Sequence, residues 1–159
     1  MPRLVKNGTL SDDAWTFYET PPAAVPDGES IVPFDYWRTH GSEAPWGVWV
    51  EGDFEVETLG PAVGDVPLIA VRFAVFSDGR GLSLGSMLRT RYGFTGELRA
   101  VGDILPDIAS YLARSGFDAI EFKDAASAAV GIEMISTMSD AYQASVVQPQ
   151  PPFRRVSMG

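Results

Sequence analysis

The stretch PLIAVRFAVFSDGRGLSLGSMLRTRYGFTGELRAVG, residues 67–102, decides the fold. Residues 67–76 form an apolar run rich in Val, Ile and Phe, and such a run predicts a strand buried on both faces. Gly79 and Gly81 punctuate its end. Leu84, Met87 and Leu88 then recur at i, i+3 and i+4, the spacing of one helical face, and Gly93 supplies a C-terminal stop. GELRAVG, residues 96–102, is the next strand. Strand, helix and strand in this order make a βαβ unit with parallel strands and a right-handed crossover.

The alternation continues on both sides. Downstream, Asp103 is placed to cap a helix whose apolar stripe is Leu105, Ile108, Ala109 and Leu112. Pro106 is tolerated in its first turn, and Gly116 ends it. FDAIEF (117–122) and DAASAAVGIEMIST (124–137) follow as strand and helix. Upstream, GVWV (47–50) is a short strand, and Asp53 caps a short helix that Pro61 ends or kinks. RLVKNGTL offers an Asn7-Gly8 hairpin turn. Residues 20–47 carry five of the twelve prolines and are expected to form a loop-rich arm anchored by IVPFDYW.

The expected architecture is therefore α/β: repeated βαβ units giving a mostly parallel sheet with flanking helices, plus an N-terminal extended or hairpin arm. A single domain is expected over 1–159, with a lead-in arm over 1–47, a βα core over 48–140 and an extended tail over 141–159. Ligands of such sheets gather at the carboxyl ends of the strands. SDGRG, Gly102-Asp103 and KDAAS (123–127) are all expected at that end.

Composition narrows the chemistry. The net charge of −9 argues against general affinity for nucleic acid or anionic membranes. With no cysteine there is no thiolate nucleophile, disulfide or cysteine-ligated cluster, and with one histidine, His40, no His-rich metal site. MPRLVKNGTLSDDAW lacks the apolar core of a secretory signal, so a cytoplasmic location is expected.

Against that acidity, residues 76–103 carry four arginines and three acids, a local charge of +1. Glycine N–H groups and a helix start both suit an anion, and Arg80 can fork onto one. Asp78, Gly79, Arg80, Gly81 and Ser83 form the candidate ligand site, joined by Arg99 and Asp103 from the next strand, with Asp78 orienting Arg80. The competing reading is a tight turn with no ligand. Gly79, Gly81 and Gly85 give G-x-G-x-x-x-G, one residue longer than the dinucleotide fingerprint, and no P-loop lysine is present. Arg72 and Arg99 lie inside expected central strands, so each needs an acid, such as Glu97 or Asp103, or a second subunit over a polar sheet face. Arg91, on the last turn of its helix, is placed to cap carbonyls. Trp15, Phe17, Tyr36, Trp37, Trp46 and Trp49 either pack over the sheet or form an interaction surface, and Tyr142-Gln143 either line a site or finish the core.

FAVFSDGRGLSLGSMLRTRYGFTGELRAVGDIL (73–105) and GFDAIEF (116–122) resemble a bacterial family, domain of unknown function 934. DDAW (12–15), IVPFDYW (31–37) and YQASV (142–146) extend the resemblance more weakly. The chain departs from the family pattern at Ala74, Ser77 and Leu82, and carries Ser115 where a cysteine is usual. The resemblance implies an oxidoreductase or accessory of assimilatory sulfite reduction, with sulfite reductase components as partners and a cofactor of unknown identity. Two alternatives remain: a non-catalytic partner or scaffold of that system, and a nicotinamide- or flavin-dependent enzyme. A homo-oligomer is compatible with each.

Overall fold

The computed structural model describes residues 3–41, 44–74 and 78–147. Among them are eight strands in one sheet and five α-helices. Strands β1 (Leu4–Lys6) and β2 (Thr9–Ser11) form an antiparallel hairpin. Asn7 and Gly8 turn it with φ of 52° and 83°, the left-handed pair that a two-residue hairpin needs. Strands β3 (Thr16–Phe17), β4 (Ser30–Pro33), β5 (Gly47–Glu51), β6 (Leu68–Phe73), β7 (Glu97–Gly102) and β8 (Ala119–Glu121) follow. From β4 onward each is parallel to the one before it, and β1 joins antiparallel to β8. The sheet order is β2-β1-β8-β7-β6-β5-β4-β3. The helices are α1 (Phe34–His40), α2 (Val56–Leu59), α3 (Asp78–Thr90), α4 (Ala109–Arg114) and α5 (Ala125–Val147).

The molecule is thus α/β with a mostly parallel sheet, but the sheet never reverses its winding. Right-handed crossovers in one direction place every helix on the same face. Val48, Val50, Ile69, Val71, Phe73, Leu98, Ala100 and Ile120 form the main core with the helices on that outer face. The alternate residues Trp49, Leu68, Ala70 and Val101 point inward and pack with Ile31, Trp15 and Phe17. Two cores on opposite faces explain why β6 is apolar at every position but Arg72.

Chain length forces the sheet to roll. Its edges, β2 and β3, would lie about 34 Å apart in a flat eight-stranded sheet. The connection from Ser11 to Thr16 reaches at most about 18 Å. Only a curled sheet brings the edges within that span. The linking residues run down the inside, where Asp13 reaches Arg99 and Trp15 joins the inner core.

Several local expectations change. The presumed loop-rich arm contains β4 and α1, and β3 lies just before it, so the parallel sheet begins well before residue 48. Ile31 and Val32 are buried strand residues, and Pro33 sits where the strand hands over to α1, a position that needs no ladder donor. The helix α2 begins only at Val56, and the chain tightens into a 3-10 turn over Gly60–Asp65 around Pro61. After Asp103 comes a 3-10 turn over Pro106–Ile108 with no side-chain cap. Asp124 is instead the acid that caps, its Oδ1 accepting from the Ser127 N–H at 2.8 Å at the start of α5. That helix runs on to Val147, so residues 141–147 are helical where an extended tail was expected. Residues 148–159 and the side chains of Tyr142 and Gln143 lie outside the described part.

Candidate functional site

The Asp-Gly-Arg-Gly segment is the first turn of α3 and not a loop ahead of it, because the helix begins at Asp78. Two of its glycines are explained by packing. A Cβ on Gly81 would stand 2.4 Å from the Phe73 ring, and one on Gly85 would stand 2.3 Å from the Phe117 ring. Phe73 and Phe117 meet edge to face at 5.8 Å, so α3 settles onto an aromatic pair through glycines one turn apart. The spacing that resembles a dinucleotide fingerprint is, for Gly81 and Gly85, helix-to-sheet contact.

The rest of the turn faces outward. Gly79, Arg80 and Ser83 line an open groove of about 430 Å³ with Gly52, Asp53 and Phe54, at the carboxyl ends of β5 and β6. A Cβ on Gly79 would touch nothing within 4 Å. Arg80 Nη1 lies 3.8 Å from Asp53 Oδ2, and these side chains are 74% and 60% exposed. The Asp78 side chain, expected to orient Arg80, lies outside the described residues; Asp53 is the acid seen beside it.

Arg99 does not join this group. It is 2% exposed on the inner face, so the sheet separates it from α3. Its Nε donates to Glu97 Oε2 at 2.8 Å and its Nη1 to Asp13 Oδ1 at 3.1 Å. Lys6 Nζ completes the network 3.1 Å from Glu97 Oε1. Asp103 is exposed at the end of β7, held by its own N–H to Phe73 O at 2.8 Å.

Arg72 finds acids that the sequence reading did not pick. Glu51 is its register partner across β5 and β6 and accepts from both Nε and Nη2. The guanidinium lies 4.4 Å over the Trp49 ring, and Nη1 reaches Glu19 Oε2 at 3.1 Å. The Glu51 hydrogen bonds hold its pKa above the ordinary guanidinium value. Among the described residues Arg91 caps no carbonyl; its Nη1 lies 3.4 Å from Met87 Sδ. Arg89 instead ties the end of α3 to the loops around it, donating to the carbonyls of Gly116, Phe94 and Gly96 at 2.8–2.9 Å and lying 3.5 Å from Asp118.

A second concavity opens where the rolled sheet ends. Phe17 and Glu19 from the β3 side and Arg3, Glu121 and Lys123 from the β1–β8 side line one cleft of about 370 Å³, with Arg72 and Gly102 between them. Gly102 and Lys123 belong to segments expected at the ligand end. Arg3 and Glu19 carried no sequence signal, because only curling of the sheet brings its two edges together.

Of the crowded aromatics, Trp15, Phe17 and Trp49 fill the inner face, whereas Phe34 and Trp37 of α1 pack on the outer core. His40 stacks on Tyr36 at 4.4 Å. Among the described residues no group of acids and histidine could hold a metal ion, and no helix is long and apolar enough to cross a membrane.

Residues 47–153 match a family model described as "Bacterial protein of unknown function (DUF934)". The match begins at the first residue of β5, so DDAW and IVPFDYW fall outside it. No curated protein matches the chain.

Proposed function

Given that the chain belongs to the DUF934 family of bacterial proteins, we propose that it is a cytoplasmic accessory of assimilatory sulfite reduction that holds a small oxyanion, free or as a cofactor phosphate, on the first turn of α3. The observation that carries this reading is the outward half of the turn: Gly79, Arg80 and Ser83 face an open groove while Gly81 anchors the helix from behind. The first N–H groups of a helix have no intrahelical acceptors, and their partial positive charge favours an anion. Arg80 would exchange its long contact with Asp53 for a charge-assisted fork on the anion, and the Ser83 hydroxyl would donate beside it. A chain without cysteine moves electrons only through a bound cofactor, and the same turn would take that cofactor's phosphate.

The test is thermal denaturation with sulfite, sulfate, phosphate, NAD(P)H and flavin. An oxyanion should raise the melting temperature of the wild-type chain and leave Arg80→Ala unmoved. A second reading, a non-catalytic partner of a sulfite reductase, is favoured by the packing that accounts for Gly81 and Gly85 without any ligand. It predicts no shift with any of these compounds and co-purification with a reductase subunit.

A further inference from the structure

We propose that the cleft at the mouth of the rolled sheet binds a small organic carboxylate, which takes the place of the Glu19 side chain on Arg72. The site is independent of the α3 groove, since it opens on the inner face of the sheet.

Arg72 is held as a receptor is held. Glu51 fixes Nε and Nη2, and Trp49 supports the guanidinium plane at 4.4 Å. The remaining Nη1 meets Glu19 at 3.1 Å. Glu19 is 74% exposed and lies beyond the end of β3, so its carboxylate is open to solvent. An exposed ion pair of that kind contributes little and is readily exchanged. A carboxylate already occupies the position, which shows that the geometry suits one.

The surroundings fit the rest of such a ligand. Phe17, Val101 and Phe122 supply apolar wall. Arg3 is paired with Glu121 at 3.2 Å, and Lys123, exposed beside Asp124, adds a second cation to that rim of the cleft. With Glu19 turned away, Arg72 Nη1 loses its outer acid while Glu51 stays on Nε and Nη2, and that open donor is where a monocarboxylate would sit. A volume of about 370 Å³ lies at the small end of ligand sites.

The test uses the full chain with benzoate as probe, benzyl alcohol as its uncharged counterpart and sulfate as a compact oxyanion, followed by calorimetry and by tryptophan fluorescence, to which Trp49 beside Arg72 contributes. Benzoate should bind saturably and benzyl alcohol should not. Glu19→Gln removes the internal competitor and should tighten benzoate about two- to fivefold, the worth of an exposed ion pair. Lys123→Gln should weaken it, and Arg80→Ala should leave it unchanged. Both cleft substitutions are at exposed positions and keep the fold, so the outcome does not depend on a variant of Arg72. Unchanged or weaker benzoate binding by Glu19→Gln overturns the proposal. So does equal binding of benzyl alcohol, absence of saturable binding in both proteins, or displacement of benzoate by sulfate through Arg80.

Discussion

Asp13 and Arg99 lie 86 positions apart and meet at 3.1 Å inside the sheet. With Glu97 at 2.8 Å, Asp13 balances a guanidinium that is nearly closed off from water. Removing one partner of a buried charge network leaves the others uncompensated. Arg99→Met should therefore cost about 3–5 kcal/mol of unfolding free energy. Asp13→Asn, which leaves Glu97 in place, should cost about 1–2 kcal/mol. Urea denaturation of both variants measures the difference, and near-equal losses would contradict the arrangement.

Gly81→Ala is a packing experiment on the first turn of α3. The added methyl group would stand 2.4 Å from the buried Phe73 ring, so ring or helix must shift. Overpacking costs about 1–3 kcal/mol, and the better helix propensity of alanine returns about 1 kcal/mol at most. A net loss should appear in the urea midpoint, and Phe73→Leu should recover part of it in a double-mutant cycle. An undiminished midpoint would mean that α3 does not rest on Phe73 as described.

Arg80→Ala should behave in the opposite way. Its contact with Asp53 is long and exposed, so the ligand-free protein should lose less than about 0.5 kcal/mol. A variant that keeps its midpoint but loses oxyanion protection separates binding from folding at the same helix turn.

Asp124 sets a pH expectation. The Ser127 N–H bond holds its carboxyl below the ordinary aspartate range. A depressed folded pKa contributes stability that is fully present above the unfolded value of about 3.9 and is lost as pH falls through the folded value. Asp124→Asn keeps an accepting oxygen at the cap but does not titrate. Its urea midpoint should fall less steeply than that of wild type between about pH 5 and pH 2.5. Identical slopes would refute the assignment.

What the sequence disclosed was local. The strands β6, β7 and β8, the Asn7-Gly8 hairpin and the βα alternation all follow from periodicity and turn chemistry over short windows. The rolling of the sheet does not, because it rests on Leu4 opposite Glu121 and on a connection too short to cross a flat sheet. For the same reason Arg72 was recognisable as needing an acid, while Glu51 and Glu19 were not: only register and curvature bring them to it. Gly79, Arg80 and Ser83 share one groove as their spacing on a single helix suggests. Arg99 was drawn toward them by proximity in sequence, and strand alternation puts it on the other face. IVPF was hidden by its proline, which sits at the last residue of β4, where the chain turns into α1.

The pairing of β1 with β8 also dictates an order of events. The strand β1 cannot take its place until β8, far later in the sequence, exists, since its neighbours among the described strands are β8 and its own hairpin partner. Contacts of such long range close late and slow folding, and an unpaired β8 edge is open to association with other chains in the meantime. Refolding should therefore be limited by the docking of the amino-terminal hairpin, which acts as a latch thrown after the parallel strands have assembled.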